Sequence, residues 1–444
     1  MTARSTHGDP ATLYRSKLRS LREAVDLIQP EDSMAAPIAT GQPAAFLTAL
    51  GERNYFRKLT MFSGLLIQPY PVLQQSGVQL ISGFYGPVER LLKSMGAQVQ
   101  YLPADFLGWE RYALLAAPRV IVSALAPMDA HGFLSFGLHA GASFNAFMQA
   151  ARDPHRLAIG EVNRNLPTVL GLGRFGGHRI HISELDCVVE SDLPVVELPE
   201  QPVTEEDKSI AQHVEHLIEN GATLQIGIGA IPNIVAQLLA AGNKADFGIH
   251  TEMMVDGIMR LHQAGKITNH KGVYDGFSVA TFAAGSKQLY QWMHGNPEVR
   301  MLPVAQVNDP AIIRLNRRMV SINGALAVDL SGQIMADTLG PRQYSGVGGH
   351  ELFVIGAHDS TAGKSVVCLH STATVAGKTV STIVAILPLG TPITTPRHHV
   401  QYIITEYGVA NLGMLTDVGR AQALSEIAHP DFRDELRAAA RKLL

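Results

Sequence analysis

One order of elements occurs twice in this 444-residue chain, and it restricts the possible folds more than any other feature. In each copy a helix is followed by an apolar strand, a glycine turn and a second helix. The first copy is predicted at residues 21–29, 34–40, 41–43 and 44–50, and the second at 210–219, 222–228, 229–232 and 233–241. Gly41 and Gly229 are separated by about 190 residues, and so are Pro43 and Pro232.

Apolar, β-branched strands that alternate with helices are typical of parallel sheets covered by helices. We therefore predict an α/β fold with two similar open parallel-sheet domains, produced by a duplication. The length also favours two domains. Residues 193–207 contain three prolines among acidic residues and are the predicted linker, so the predicted domains are residues 1–200 and 206–444.

The second half continues in the same style. Strands are predicted at residues 246–252, 352–355, 365–369 and 402–405, and a helix is predicted from Val255 to Gly265. Ligands of such sheets bind at the carboxyl ends of the strands. We therefore expect Gly229, Glu252 and the glycines of residues 346–349 to meet at one edge.

Composition excludes several classes of function. A net charge of −3 gives no electrostatic basis for binding nucleic acid or an anionic membrane. No apolar run reaches the length of a membrane span, and the first 20 residues lack a signal-peptide core. Cys187 and Cys368 are isolated, and the histidines match no zinc spacing. We predict a soluble cytoplasmic protein without a metal.

Glu252 is the leading candidate for chemistry. It ends a predicted strand, and the turn Gly227-Ile228-Gly229 opens a helix whose backbone N–H groups can hold negative charge. A carboxylate beside such a turn suggests a nucleophile that acts on an acyl group. The alternative is an ordinary carboxylate that interacts with a helix dipole. Glu406 is a second carboxylate at the end of a predicted strand.

Two glycine turns are candidates for binding an anion. Residues 227–233 do not satisfy the GxGxxG pattern, which argues against a nicotinamide or flavin site. Residues 345–349 read Ser-Gly-Val-Gly-Gly, and glycine lets a backbone approach a ligand closely. An oxyanion hole of backbone donors contributes about 3 kcal/mol per donor in the transition state. The alternative for each turn is a loop without a ligand.

Several ordered segments carry a resemblance to a known family: residues 123–137, 161–167, 224–235, 250–257, 307–310, 323–333, 345–349 and 405–410. Over about residues 20–435 the chain resembles the class I CoA-transferases of the acetyl-CoA hydrolase/transferase type. The 4-hydroxybutyrate and butyrate CoA-transferase branch is the most similar one.

The resemblance implies a mechanism. Glu252 would attack an acyl-CoA, such as acetyl-CoA or 4-hydroxybutyryl-CoA, and pass through an anhydride to a glutamyl–CoA thioester. A carboxylate acceptor would then reverse these steps, which is ping-pong covalent catalysis. No cofactor is expected beyond the CoA thioester substrate, and the expected partners are a small carboxylic acid and further copies of the chain in a dimer or tetramer. The implied oxyanion and CoA-binding donors are Ile228, Gly229, Gly346, Gly348 and Gly349, with supporting roles for Asn308 and for Glu406 as an anchor of the 346–349 loop.

Some positions depart from the family pattern. His350, Glu351 and Leu352 stand where Gln, an acidic residue and Phe are usual, and Pro396-Arg397-His398-His399-Val400 replaces Thr-Arg-x-Asp-Val. Gly413-Met414 replaces an Arg-Gly pair. These changes leave the acyl group and the acceptor open. An acyl-CoA hydrolase on the same scaffold and a non-catalytic CoA-binding protein are the alternative functions.

Overall fold

The computed structural model describes residues 9–199 and 201–443. Within them the chain has a mixed α/β fold. Its helices are α1 (Pro10–Lys17), α2 (Leu21–Val25), α3 (Ala44–Leu50), α4 (Pro87–Ser94), α5 (Phe106–Ala116), α6 (Phe144–Ala150), α7 (Glu205–Leu217), α8 (Ala230–Ala241), α9 (Asp256–Gln263), α10 (Lys287–Met293), α11 (Val304–Val307), α12 (Pro310–Ile313), α13 (His350–His358), α14 (Asp417–Ile427) and α15 (Pro430–Leu443).

The chain divides into two compact units. The first comprises residues up to Leu198 together with Val279–Val307, and the second comprises Pro199–Ser278 and the residues from Asn308 onward. Residues 279–307 therefore cluster with the first unit, although the sequence-based division at 1–200 and 206–444 assigned them to the second. The origin of the two units by duplication stays a prediction.

The first unit contains a seven-stranded parallel sheet with the order β4-β3-β2-β1-β5-β6-β7. Its strands are β1 (Glu31–Ala35), β2 (Lys58–Ser63), β3 (Val78–Ser82), β4 (Gln98–Tyr101), β5 (Val120–Leu125), β6 (Leu157–Asn163) and β7 (Cys187–Ser191). Every residue of β5 is buried. A continuous buried run of this kind is expected in a strand with both faces covered.

The second unit contains a six-stranded sheet with the order β9-β8-β10-β11-β12-β13. Its strands are β8 (Thr223–Ile226), β9 (Gly248–Ile249), β10 (Met319–Gly324), β11 (Lys364–Cys368), β12 (Tyr402–Thr405) and β13 (Gly408–Asn411). All pairs are parallel except β12 with β13. The carboxyl ends of β8 to β12 therefore lie along one edge.

Short strands outside this sheet support loops of the second unit. They are Ala327–Asp329 with Ile334–Met335 and Ile383–Val384, Thr338–Leu339 with Arg342–Gln343, and Thr372–Val375 with Lys378–Ser381.

The α/β class and the parallel sheets predicted from the sequence are confirmed, and so are the strands at 365–369 and 402–405, which are β11 and β12. The strand predicted at 352–355 is wrong, because these residues lie inside α13. A short apolar run such as Leu352-Phe353-Val354-Ile355 fits a buried helix as well as a strand. Among the described helices, none is long and apolar enough to span a membrane.

Candidate active site

Hydrogen bonds to β8 determine the position of Glu252. Beyond β9, the backbone N–H of His250 donates to the Leu224 carbonyl at 3.2 Å. The Thr251 hydroxyl accepts from the N–H of Ile226 at 3.3 Å and donates to its carbonyl at 3.2 Å. The chain therefore follows β8 to its carboxyl end, and Glu252 is the first residue past the last of these bonds.

The Glu252 carboxyl is held by two neighbours from distant parts of the chain. Asn308 Nδ2 donates to Glu252 Oε2 at 2.6 Å, and Asn308 is completely buried. The backbone N–H of Gly349 also donates to this carboxyl. Both donors are fixed by surrounding structure, since Asn308 directly precedes the N-cap of α12 and Gly349 is the N-cap of α13.

Only glycine fits at position 349. A Cβ there would lie 2.1 Å from Glu252 Oε2 and 2.5 Å from Asn308 Nδ2. The requirement comes from this close approach and not from backbone strain, because φ is −94°. The carboxyl therefore lies at the N-terminal end of α13, where the helix dipole favours a negative charge.

Burial changes the acidity of Glu252. It raises the pKa of this carboxyl to about 7, and the hydrogen bonds from Asn308 and Gly349 oppose the shift. Burial disfavours the charged form, whereas donors favour it. The side chain keeps part of its surface accessible. A carboxylate of this kind is poorly solvated but reachable, which is suited to a nucleophile.

Comparisons with known proteins identify the family of the chain. The sequence model of the acetyl-CoA hydrolase/transferase C-terminal domain matches residues 285–440. The 4-hydroxybutyrate coenzyme A transferase of Clostridium kluyveri is 37% identical, covering 97% of this chain and 98% of that protein. The butyryl-CoA:acetate CoA-transferase of Anaerostipes caccae is 38% identical, covering 97% of each. The chain belongs to this CoA-transferase family.

Comparison with a solved structure supports the same family. The crystal structure of RipA from Yersinia pestis has a TM-score of 0.90 and 35% sequence identity, covering 98% of this chain and 99% of that chain. This agreement over nearly the whole length identifies the fold as that of the family.

The predicted donors Ile228 and Gly229 follow β8 after Gly227 in this CoA-transferase. Ile228 is 54% exposed, and Gly229 is the N-cap of α8 with a φ of +123°, a conformation that favours glycine. Thr251 connects this turn to Glu252, because its hydroxyl is bonded to Ile226. Sequence reasoning missed Thr251, although a hydroxyl beside the candidate nucleophile was a usable signal.

The 346–349 run reaches Glu252 through its last residue. Gly348 has a φ of +56°, which favours glycine, and Gly346 is buried. Gly349 is the member of the run that contacts the carboxyl. The roles of Gly346 and Gly348 as donors to a substrate stay predictions.

Glu406 lies at the other side of the sheet. It accepts from the backbone N–H of Ser371 at 2.9 Å and from the Ser371 hydroxyl. Glu252 follows β9 and Glu406 follows β12, which is four strands away in the sheet. Strands about 4.8 Å apart separate these two ends by about 19 Å. The predicted role of Glu406 as an anchor of the 346–349 loop stays a prediction, and its described partner is Ser371.

The positions that depart from the family pattern lie beside the glycine run. His350 follows Gly349, and burial lowers its pKa to about 4. Glu351 Oε1 lies 2.6 Å from His399 Nδ1, so two departing segments form one pair. Sequence analysis identified both segments but did not detect that they touch. Among the described residues no group of three His, Cys, Asp or Glu side chains could hold a metal ion.

Proposed function

We propose that this CoA-transferase moves CoA from a small acyl-CoA to a carboxylate acceptor through a glutamyl–CoA thioester on Glu252. The class of acyl-CoA includes acetyl-CoA and 4-hydroxybutyryl-CoA, since the similar enzymes act on butyryl-CoA with acetate and on 4-hydroxybutyrate. The observation that carries the proposal is the Glu252 carboxyl, which is desolvated, accepts from Asn308 at Oε2 and also accepts from the Gly349 N–H.

The chemistry takes four steps. The free oxygen of the Glu252 carboxylate attacks the thioester carbonyl, which gives a mixed anhydride and releases CoA thiolate. The thiolate attacks the glutamyl carbonyl, so the glutamyl–CoA thioester forms and the first carboxylate leaves. An acceptor carboxylate then attacks this thioester and releases the thiolate again. The thiolate attacks the acceptor carbonyl, and Glu252 is restored as a carboxylate.

Asn308 and Gly349 have a role in each attack on the glutamyl carbonyl. If Oε1 forms the bond to the acyl group, Oε2 becomes the carbonyl oxygen of the intermediate. Negative charge develops on that oxygen when a thiolate or carboxylate adds. Asn308 Nδ2 already points at Oε2 and needs no reorganisation, and loss of such a donor typically costs about 100- to 1,000-fold in rate.

Hydrolysis is the competing outcome at the same intermediate. Water could replace the acceptor at the glutamyl thioester, and the enzyme would then be an acyl-CoA hydrolase. Transfer is the proposed outcome because the similar full-length relatives are named CoA-transferases. Ile228, Gly229, Gly346 and Gly348 are proposed to face the CoA thioester, and the assembly is proposed to be a cytoplasmic homo-oligomer.

Intact mass spectrometry tests the proposal. The wild-type protein is incubated with a panel of acyl-CoAs without acceptor, and a covalent CoA adduct is expected on the peptide that contains Glu252. Glu252→Gln should form none, and borohydride should inactivate only protein that was exposed to acyl-CoA. Because the carboxylate is the nucleophile, kcat/KM should rise with pH through about 7.

The matched control is Glu110→Gln. Glu110 is buried and its pKa is also raised to about 7 by burial, yet it lies in the other unit. This variant should form the adduct at the wild-type rate. The mechanism is wrong if no acyl-CoA gives an adduct and borohydride leaves turnover intact. Adduct loss that is equally fast with and without an acceptor would instead identify a hydrolase.

A further inference from the structure

Glu351, in the first turn of α13, pairs with a histidine that has no role in the four chemical steps. Glu351 lies two residues after Gly349, and its Oε1 is 2.6 Å from His399 Nδ1. The side chains are only 18% and 29% exposed, respectively. A hydrogen bond in this setting is stronger than one at the surface, because little solvent competes for either group.

His399 belongs to a supported segment, residues 394–399. The backbone N–H of Thr394 donates to the Ile334 carbonyl at 2.9 Å, and the N–H of Ile334 donates to the Thr395 carbonyl at 3.0 Å. Val400, the next residue, is 2% exposed. The 394–399 segment is therefore held at both ends, and His399 offers Glu351 a fixed partner.

The same segment reaches the other side of the glycine run through Asp337. Thr394 Oγ1 donates to Asp337 Oδ1 at 2.6 Å. The backbone carbonyl of Asp337 accepts from the N–H groups of Tyr344 and Ser345 at 3.0 and 2.9 Å. These two residues directly precede residues 346–349. The glycine run is thus tied to the 394–399 segment before it begins, through Asp337, and after it ends, through Glu351.

We propose that the Glu351–His399 pair positions the glycine run against Glu252, so that His399 is a positioning residue for formation of the glutamyl–CoA thioester. This inference rests on the proposed function of Glu252. A run with three glycines in four residues has a large conformational freedom of its own. The contact of Gly349 with Oε2 therefore depends on what holds the flanking residues.

The pair joins an acidic side chain to an imidazole. Glu351 Oε1 faces His399 Nδ1. Burial raises the pKa of Glu351, whereas Thr395, His399 and His398 favour its charged form. His399 therefore gives this half-buried acidic group a hydrogen-bonding partner.

His399→Ala tests the proposal by three measurements. The rate of adduct formation in a single turnover should fall about 10- to 100-fold, the loss expected when a reacting group moves by about 1 Å. KM for the acyl-CoA should change less than about twofold, because binding of the remote nucleotide is unaffected. The acidic limb of kcat/KM should move to higher pH, because the Gly349 N–H lowers the pKa of Glu252.

Companion variants separate positioning from general stability. His399→Asn keeps a donor near the place of Nδ1 and should restore most of the rate. Glu351→Ala should be as slow as His399→Ala, and the double variant no slower than either, because both remove one interaction. The matched control is His358→Ala at the far end of α13, where Nδ1 lies 3.1 Å from Asp359. It should keep the wild-type rate.

Hydrogen exchange of the peptide that covers residues 344–353 gives a readout without catalysis. Faster exchange in His399→Ala than in the wild type supports the proposal. Wild-type exchange together with a wild-type adduct rate overturns it. If the wild type itself forms no adduct, the proposed function fails. Hydrogen exchange alone then tests whether the Glu351–His399 pair holds the glycine run. If His399→Ala does not fold, Glu351→Ala takes its place, and a wild-type rate in that variant overturns the proposal.

Discussion

At the scale of single residues, Asn308 and Gly349 converge on one oxygen of Glu252. Asn308 lies 56 residues after the glutamate and approaches Oε2 to 2.6 Å. Gly349 comes close enough that even a methyl group would overlap this oxygen. In the proposed mechanism the other oxygen forms the bond to the acyl group. The Asn308 side-chain amide therefore distinguishes the two oxygens of the carboxylate.

Gly349→Ala should abolish adduct formation, with a loss of more than about 100-fold, because the added Cβ displaces the carboxyl from Asn308. The melting temperature should change little, since a φ of −94° suits alanine. Gly173→Ala is the control, because a Cβ at Gly173 meets open space. Single-turnover mass spectrometry and a thermal melt measure both properties. Adduct formation at the wild-type rate would contradict the geometry described for Oε2.

At the scale of elements, the segment after β9 is a bonded extension of a two-residue strand. The Thr251 side chain replaces the backbone ladder by bonding both the N–H and the carbonyl of Ile226. Thr251 is completely buried, so water cannot take over these bonds. The Thr251 hydroxyl thus contributes to the position of Glu252 at the sheet edge.

Thr251→Val keeps the shape of the side chain and removes the hydroxyl. The free energy of unfolding should fall by about 1 to 3 kcal/mol, because two buried backbone groups lose a partner. Adduct formation should slow in parallel. Thr251→Ser, which retains the hydroxyl, should lose much less of the rate. Urea denaturation and single-turnover assays measure the two effects, and an unchanged unfolding energy in Thr251→Val would refute the bonded extension.

At the scale of the whole molecule, buried glutamates and buried histidines have opposite effects on how folding stability changes with pH. Burial raises the pKa values of Glu89, Glu110 and Glu252 to about 7. Between pH 4.5 and 7 the folded chain therefore holds protons that the unfolded chain releases, and stability falls as pH rises. Burial lowers the pKa values of His178 and His350 to about 4, so these groups have the opposite effect between pH 4 and 6.5.

The double variant Glu89→Gln/Glu110→Gln removes two of the buried charges. At pH 8 it should be more stable than the wild type by about 1 to 3 kcal/mol per group, and the gain should shrink toward zero at pH 4.5. The exposed Glu435→Gln should show no such trend. Differential scanning calorimetry at both pH values checks this. A gain of equal size at pH 4.5 and pH 8 would exclude desolvation as its cause.

Much of this architecture was accessible from local patterns. Alternating strands and helices predicted the parallel sheets, and the helix predicted at residues 210–219 is the larger part of α7. The strand at 352–355 failed because four apolar residues carry no period that separates strand from helix. Whether such a run forms a strand or a helix depends on the elements that pack around it, and these are distant in sequence.

The sequence by itself determined the α/β class, the family motifs and Glu252 as the candidate nucleophile, because these depend on residue types and on spacing over a few turns. Only the tertiary structure decided which groups hold Oε2, how strongly burial shifts the pKa of Glu252, and that Glu351 meets His399. These three depend on residues that are 48 to 97 positions apart in sequence. Contacts over such separations arise from packing of whole elements, and desolvation arises from everything that surrounds a group at once.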